Sequence, residues 1–183
     1  MINRKIAKFE RVSFEQFKKD WLDTFSRYAN EELDEQEIDS AIRNIYDSIK
    51  LPKRATIKSA GYDFFAPICF DIDVNQAVKI PTGIRCWIDD GWVLKAYPRS
   101  GHGTKYGVKL ANTTGVIDGD YFESDNEGHI FIKLVNNDSV LANRINIDAG
   151  SAFCQGIFTI YGLTIDDEVT ETRNGGFGST DKK

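Results

Sequence analysis

The hydrophobic periodicity of the chain changes near residue 51, and this change constrains the fold more than any other feature. Before it, apolar residues recur at steps of three and four, as on one face of a helix. After it, short alternating apolar runs are separated by Gly-rich turns, a pattern typical of an antiparallel barrel or jelly-roll sandwich. We therefore predict a helical extension at residues 1–50, a mainly β domain at 51–165 and a C-terminal tail at 166–183.

The first 50 residues predict two amphipathic helices. Ser13 with Gln16, and Asp34 with Glu37, have the spacing of capping boxes. Two such helices with a short polar link indicate an antiparallel hairpin, which we interpret as an appendage whose removal leaves the domain folded. Its aromatic stripe either docks on the β-domain, which we favour, or presents a surface to a protein partner. The stripes are Phe14, Phe17, Trp21, Phe25 and Tyr28 on the first helix, and Ile38, Ile42, Ile45 and Ile49 on the second.

Seven strands are predicted after residue 51, with no helix between them. Asp89-Asp90-Gly91 predicts a tight hairpin between the third and the fourth. The predicted strands are Ile68–Ile72, Ala77–Ile80, Ile84–Ile88, Trp92–Tyr97, Val108–Asn112, His129–Val135 and Phe153–Tyr161.

The composition argues against several classes of protein. The 183 residues are 41% hydrophobic and 28% charged, as in ordinary globular chains. The net charge of −5 argues against general nucleic-acid binding, which needs a basic face. Cys69, Cys86 and Cys154 form no CxxC pair, so we expect reduced thiols in a cytoplasmic protein. The chain shows neither a signal peptide nor an apolar run of membrane length, so we expect no membrane partner.

The segment Pro98–Tyr121 concentrates the residues that could carry chemistry. It opens with Arg99-Ser100-Gly101, where a guanidinium can bond two phosphate oxygens and glycine lets backbone N–H groups approach an anion. It closes with Asp118, on a turn where a carboxylate could order or deprotonate a water, and with Tyr121. From these residues alone, Arg99 and Asp118 could equally be surface charges beside ordinary turns.

Three further motifs lie around this segment. Ala60-Gly61-Tyr62-Asp63-Phe64 precedes it, and Gln155 and Gly175-Gly176-Phe177-Gly178-Ser179-Thr180 follow it. Together the five motifs have an order and spacing that resembles the trimeric dUTP diphosphatase (dUTPase) family, over roughly residues 51–180. The resemblance implies a jelly-roll fold, a homotrimer with shared active sites, Mg²⁺ as cofactor, and hydrolysis of dUTP to dUMP and pyrophosphate.

The resemblance also implies a role for each motif residue. Asp118 would activate the water that attacks the α-phosphate, and Asp63 would support Mg²⁺ through water. Tyr121 would lie under the deoxyribose and exclude a 2′-hydroxyl, and Phe177 would stack on uracil. The implied phosphate ligands are Arg99, Ser100, Gly101, Gln155, Arg173, Gly178, Ser179 and Thr180. The implied base and sugar contacts are Asn112, Gly115, Ile117, Tyr121 and Phe177.

The chain departs from the family pattern at several positions. Ala152 stands where the fourth motif usually carries Arg, and Thr172 where the closing motif does, so that Arg173 would take the latter role. Glu123 replaces a frequent Gly in the third motif and begins a longer polar stretch to His129. His102 replaces a residue that is often apolar, and we interpret it as a loop residue near phosphate.

Two other functions fit parts of the pattern. The dCTP deaminase family shares the fold and a similar Arg-Ser turn, but it needs a catalytic Glu beside the acidic turn and lacks the Gly-rich lid. Alternatively, the chain could be a regulatory module on a dUTPase scaffold, as in a phage, that binds a protein through residues 1–50. Retention of Asp63, Arg99, Asp118, Gln155 and Phe177 favours catalysis.

Overall fold

The structure, a computed structural model, describes residues 4–25, 34–137 and 143–171. These residues form mostly short antiparallel strands with three α-helices and one 3-10 helix, and none of the helices is long and apolar enough to span a membrane. The strands are β1 (Ala7–Arg11), β2 (Lys53–Arg54), β3 (Tyr62–Phe65), β4 (Phe70–Ile72), β5 (Ala77–Pro81), β6 (Ile84–Ile88), β7 (Trp92–Pro98), β8 (Val108–Leu110), β9 (Gly115–Ile117), β10 (Phe131–Asn136), β11 (Ile145–Ile147) and β12 (Ala152–Ile160). The helices are α1 (Phe14–Phe25), α2 (Glu35–Ser48), α3 (Ser100–Tyr106) and the 3-10 helix Gly119–Glu123.

The strands of the described residues pair in four antiparallel sheets. The largest has the order β2-β3-β12-β7-β9, and it carries Asp63, Gly115, Ile117 and Gln155. The others have the orders β5-β10-β8, β11-β4 and β1-β6. Apolar side chains of these sheets form one buried cluster. The strand content and the antiparallel pairing confirm the prediction of a mainly β, antiparallel fold.

All seven predicted strands are present, and their ends shift by no more than two residues. Sequence reasoning missed β1, β2, β3, β9 and β11, because strands of two to five residues are too short to establish an alternating period. The hairpin predicted at Asp89-Asp90-Gly91 is wrong. The turn forms, with Trp92 N–H donating to Asp89 O at 3.2 Å, but β6 pairs with β1 whereas β7 pairs with β12 and β9.

The N-terminal region is part of the protein core. Strand β1 pairs with β6, so the two helices form an insertion between strands and not a purely helical extension. Phe17, Trp21, Ile42 and Ile49 are buried in the same cluster as the β-domain. The interpretation that the aromatic stripe docks on the β-domain is therefore confirmed for its described members, since Phe14 and Phe25 are partly buried against the same cluster. Because their removal would leave a gap in this shared core, we expect the β-domain not to fold without them, contrary to the appendage interpretation.

The two predicted capping boxes have different outcomes. At α2, Asp34 accepts hydrogen bonds from Gln36 N–H and Glu37 N–H, and Glu37 returns the bond, as predicted. At α1, Ser13 Oγ accepts from Gln16 N–H at 3.1 Å, but the Gln16 side chain donates to Asp20 instead. The Ser13 backbone N–H donates to the carboxylate of Glu127, so tertiary structure completes this cap.

Candidate active site

Three motif residues meet at the end of β7. Asp63 on β3 lies opposite Gln155 on β12, which lies opposite Tyr97 on β7. Arg99 follows β7 directly, and its Nε lies 3.3 Å from Asp63 Oδ1. Arg99 Nη1 donates to the carbonyl of Ala152 at 3.3 Å. The register of three adjacent strands thus gathers residues that are far apart in the sequence, and we call Asp63, Arg99 and Gln155 the phosphate-side group.

Ser100 and Gly101 begin a helix rather than an isolated turn. Arg99 is the N-cap of α3, and the helix ends at Gly107, whose φ of 64° is readily adopted only by residues such as glycine. The prediction that no helix interrupts the strands is wrong here. Helix α3 could not be predicted from periodicity, because it buries none of its residues and so has no apolar stripe. Ser100 and Gly101 are exposed beside the phosphate-side group.

His102 lies in α3 and not in a loop. Partial burial, and to a lesser degree the charge of Arg99, lower the pKa of His102. The imidazole is therefore neutral near pH 7, and it adds no positive charge to the phosphate-side group.

The segment Asp118–Tyr121, which we call the acidic turn, lies on the other side of β7. Strand β9 pairs with β7 so that Gly115 lies opposite Ala96 and Ile117 opposite Leu94. A Cβ at Gly115 would lie 3.2 Å from the Ala96 Cβ, a close approach that favours glycine. Asp118 follows β9 as the half-buried N-cap of the 3-10 helix. Asp118 lines a groove of about 480 Å³ whose wall also includes Trp87, Asp89, Trp92 and Asp120.

Tyr121 is held under this turn. Its side chain is 4% exposed, and its Oη donates to the carbonyl of His129 at 2.7 Å. The same Oη accepts from Asn126 Nδ2 at 2.8 Å. The ring orientation is thus set by the loop that follows the 3-10 helix, and its contact with a sugar stays a prediction.

Asn112 lies on an open cleft. The predicted strand ends at Leu110, two residues early, because the chain turns at Asn112 and Thr113, and Thr113 has a φ of 65°. Asn112 lines a cleft of about 260 Å³ together with Lys79, Ala111, Phe131 and Lys133. The closing-motif residues of the prediction lie outside the described residues: they are Arg173, Phe177, Gly178, Ser179 and Thr180.

Asp118 and the phosphate-side group lie at different ends of β7. Asp118 follows Ile117, which pairs with Leu94, whereas Arg99 follows the strand's last residue. At roughly 3.3 Å per residue, the five residues from Leu94 to Arg99 correspond to about 17 Å. Within the described residues, one chain therefore does not bring the two halves of the motif set into contact.

Sequence reasoning missed the residues that support Tyr121. His129 is fully buried, and its Nδ1 lies 2.6 Å from Asp20 Oδ2 on α1. The available signal was Asp20 itself, a carboxylate beside Trp21 and three residues after Phe17 on a helix face that must be buried. A second signal was the polar stretch after Glu123, which was noted only as a departure from the family pattern.

Comparisons with known proteins identify the family. The dUTPase family model matches residues 47–181. The deoxyuridine 5′-triphosphate nucleotidohydrolase of Lactococcus lactis is 39% identical over 135 residues, which cover 72% of this chain and 88% of that protein. The crystal structure of dUTPase from Streptococcus mutans is 36% identical, with a TM-score of 0.56, over 64% of this chain and 90% of that one.

A more distant solved structure has a similar fold. The dUTPase from phage phi11 of Staphylococcus aureus, described as coordinating a structural Mg(II) ion, is 20% identical with a TM-score of 0.54, over 68% of this chain and 92% of that one. The five motifs, the antiparallel fold and the family match lead to one conclusion. This chain belongs to the dUTPase family, and its activity is the hydrolysis of dUTP.

Proposed function

We propose that this dUTPase produces dUMP and pyrophosphate by attack of an Asp118-activated water on the α-phosphate. The observation that carries the proposal is the position of Asp118, half-buried at the N-cap of a 3-10 helix and open to a groove. A carboxylate in that position can accept a proton from a water while the backbone holds it in place. Asp120, the competing carboxylate, is exposed and lies two residues farther along the helix.

The phosphate-side group would bind the triphosphate. The guanidinium of Arg99 is oriented by Asp63 and by the Ala152 carbonyl, and an oriented Arg loses less entropy when it binds phosphate oxygens. Ser100, Gly101 and Gln155 would add contacts to the same oxygens. The closing-motif residues Arg173, Gly178, Ser179 and Thr180 would cover the phosphates.

The residues present fit a magnesium ion held mainly by substrate and water. Among the described residues, no three His, Cys, Asp or Glu side chains come together as a metal cage. Asp63 is nonetheless a carboxylate with 17% of its side chain exposed, next to the Gln155 amide in register. Mg²⁺ retains several waters and is usually held by one or two carboxylates plus phosphates, so Asp63 would contact it through water. When bound, the ion would neutralise charge on the phosphates.

The base and the sugar would bind on the acidic-turn side. Asn112 lies in the β8–β9 turn, and Gly115 and Ile117 lie on β9, so that backbone groups and the Asn amide could read the edge of uracil. Cytosine exchanges a donor and an acceptor on that edge and would leave buried groups unpaired. Tyr121 would exclude a 2′-hydroxyl, and Phe177 would stack on the base.

We also propose that the enzyme is a homotrimer with shared sites. One chain would supply Asp118 and the base-binding turn, a second Arg99, Ser100 and Gln155, and a third its tail. The distance of about 17 Å along β7 between the two halves supports this arrangement. So does the segment from the end of β12 onward, where Ile160, Leu163, Ile165 and Val169 are between 72% and 108% exposed and would be covered by a neighbour. A solution mass equal to a single chain would contradict it.

We propose a cytoplasmic location on separate grounds. Cys69, Cys86 and Cys154 are free thiols, and Cys69 is exposed. Exposed free thiols suit a reducing compartment.

Substitution Asp118→Asn tests the catalytic assignment. We expect kcat to fall by at least ~10²-fold, because removal of a general base costs about 10²–10⁴-fold. Binding of a non-hydrolysable dUTP analogue should change little, because Asn is isosteric. Asp120→Asn is the matched control, and near-normal turnover of Asp118→Asn with loss in Asp120→Asn would transfer the role to Asp120.

A further inference from the structure

Helix α1 is hydrogen-bonded to one loop of the β-domain at two separate points. The loop, residues 124–130, connects the 3-10 helix to β10. At the first point, Ser13 donates its backbone N–H and its Oγ–H to the two oxygens of Glu127, at 2.7 and 2.6 Å. Glu127 has a φ of 56°, in the left-handed region that few residues adopt without local support. The start of α1 therefore stabilises an unusual loop conformation.

The second point is a buried pair. His129 Nε2 accepts the N–H of Gly83 at 2.7 Å, so the ring proton lies on Nδ1. Nδ1–H donates to Asp20 Oδ2 at 2.6 Å, and Asp20 also accepts from Gln16. His129 is 0% exposed, so solvent does not compete with either partner for the ring nitrogens. Gly83 thus sets the tautomer of His129, and Asp20 on α1 binds the Nδ1–H that results and holds the ring in place.

The contacts continue from the loop to the acidic turn. The backbone carbonyl of His129 accepts from Tyr121 Oη, and Asn126 in the same loop donates to that Oη. The loop is also packed tightly against the 3-10 helix, since a Cβ at Gly128 would lie 2.7 Å from the carbonyl oxygen of Tyr121. A shift of the loop would therefore move the Tyr121 ring, and with it the turn that begins at Asp118.

We propose that α1 positions the Asp118–Tyr121 turn for catalysis, with Asp20, Glu127 and His129 as positioning residues. The inference rests on the proposed roles of Asp118 and Tyr121 and adds to them a requirement for the helical insertion. Asp20 acts through His129 on Tyr121, and Ser13 acts through Glu127 on the loop. Loss of either contact should reduce turnover and weaken the discrimination between dUTP and UTP.

The test compares Asp20→Ala and Ser13→Ala with Ile42→Val in the full-length chain. Ile42 is buried on α2, so Ile42→Val should destabilise the insertion while leaving the hydrogen bonds from Ser13 and Asp20 to the loop in place. For Asp20→Ala we expect kcat/KM for dUTP to fall by about 10- to 100-fold, the scale of a misplacement of roughly 1 Å. The ratio of kcat/KM for dUTP to that for UTP should fall as well. Asp20→Asn keeps an acceptor for His129 Nδ1–H and should restore most of the loss.

A double-mutant cycle with Tyr121→Phe separates positioning from general destabilisation. Tyr121→Phe keeps the ring but removes the hydroxyl that bonds His129, so Asp20→Ala should have a smaller effect in that background. Additive effects, or an Asp20→Ala enzyme that loses only thermal stability to the same degree as Ile42→Val, would overturn the inference. If Asp20→Ala does not fold, the same measurements are made on Ser13→Ala, whose cap is exposed. Glu127→Gln, which alters the other side of that contact, should have a similar effect.

Tyr121→Ala distinguishes this inference from the proposed function. If Tyr121→Ala changes the dUTP-to-UTP ratio and neither Asp20→Ala nor Ser13→Ala does, the positioning role alone is wrong. If Tyr121→Ala leaves the ratio unchanged, both the sugar-binding role and the positioning role that depends on it are wrong.

Discussion

The phosphate-side group and the acidic turn are held in place by different means. Asp63 and Gln155 are positioned by strand register, and Arg99 by its place at the end of β7. Tyr121 is positioned by side-chain contacts that reach back to α1, more than a hundred residues earlier in the chain. Backbone register depends on many hydrogen bonds, whereas the support of the turn depends on a few. The two halves should therefore respond differently to mutation.

The largest effect is expected from excision of the helices. Replacing residues 13–48 with a short Gly-Ser linker keeps β1 but removes Phe17, Trp21 and Ile42 from the core. Burial of each large apolar side chain contributes about 1.5–3 kcal/mol, so the loss is comparable to the roughly 5–15 kcal/mol total stability of a domain. We expect insoluble protein on expression, and a soluble variant with cooperative unfolding would show that the β-domain is self-sufficient.

Substitution Arg99→Lys should damage function without affecting the fold. Lys cannot bond Asp63 and the Ala152 carbonyl at once while facing phosphate oxygens. We expect kcat/KM for dUTP to fall by about 10²-fold, equivalent to ~2.7 kcal/mol of transition-state stabilisation. The melting temperature should stay close to that of the wild type. Lys105→Gln, an exposed charge on the same helix, is the control, and an equal loss there would indicate a non-specific charge effect.

The stability of the acidic-turn half should depend on pH. Burial lowers the pKa of His129; the charges of Asp20 and Glu127 act in the opposite direction, and that of Lys79 in the same one. The unfolded chain, with a His pKa near 6.5, binds the proton more readily than the folded chain. The contribution of neutral, buried His129 to the free energy of unfolding is therefore complete above about pH 6.5, and it is lost as the pH falls toward the folded pKa.

Urea unfolding between pH 7.5 and 5.5 measures this dependence. The slope for one histidine is at most about 1.4 kcal/mol per pH unit, and His129→Asn should reduce it. Asp20 titrates in a lower range: burial acts to raise its pKa, but hydrogen bonds from His129 and Gln16 outweigh burial and lower it. An identical slope in His129→Asn would assign the effect to other groups.

The smallest effect is expected from Lys18→Met. Lys18 Nζ pairs with Asp39 Oδ1 at 2.7 Å between α1 and α2, and both side chains are about one third exposed. Exposed ion pairs contribute little to stability, because water and salt screen them. We expect unchanged kcat/KM and an unchanged melting temperature within error. A clear loss of activity would show that the insertion also acts through the hairpin's outer face.

The sequence alone determined the family, the mainly β fold, seven strands, both helices of the insertion and the motif residues. These features depend on local signals: residue type, periodicity of 2 or 3.6, and the order of the motifs. Asp63, Arg99 and Gln155 could be named as candidate site residues because the motif order indicated them, but the Asp63–Arg99 ion pair was not predicted. The short strands β1 and β9 and the helix α3 were not predicted, since none has an apolar pattern long enough to establish a period.

Only the tertiary structure decided what each of these elements contacts. The helical insertion looks like an appendage in sequence, yet it completes the core and supports the acidic turn through Asp20 and Ser13. The orientation of His129 and the left-handed φ of Glu127 also depend on contacts with Asp20 and Ser13, each more than a hundred residues away in the sequence. Hydrogen bonds and packing between distant residues leave no local periodicity, so they can be identified only once the chain is folded.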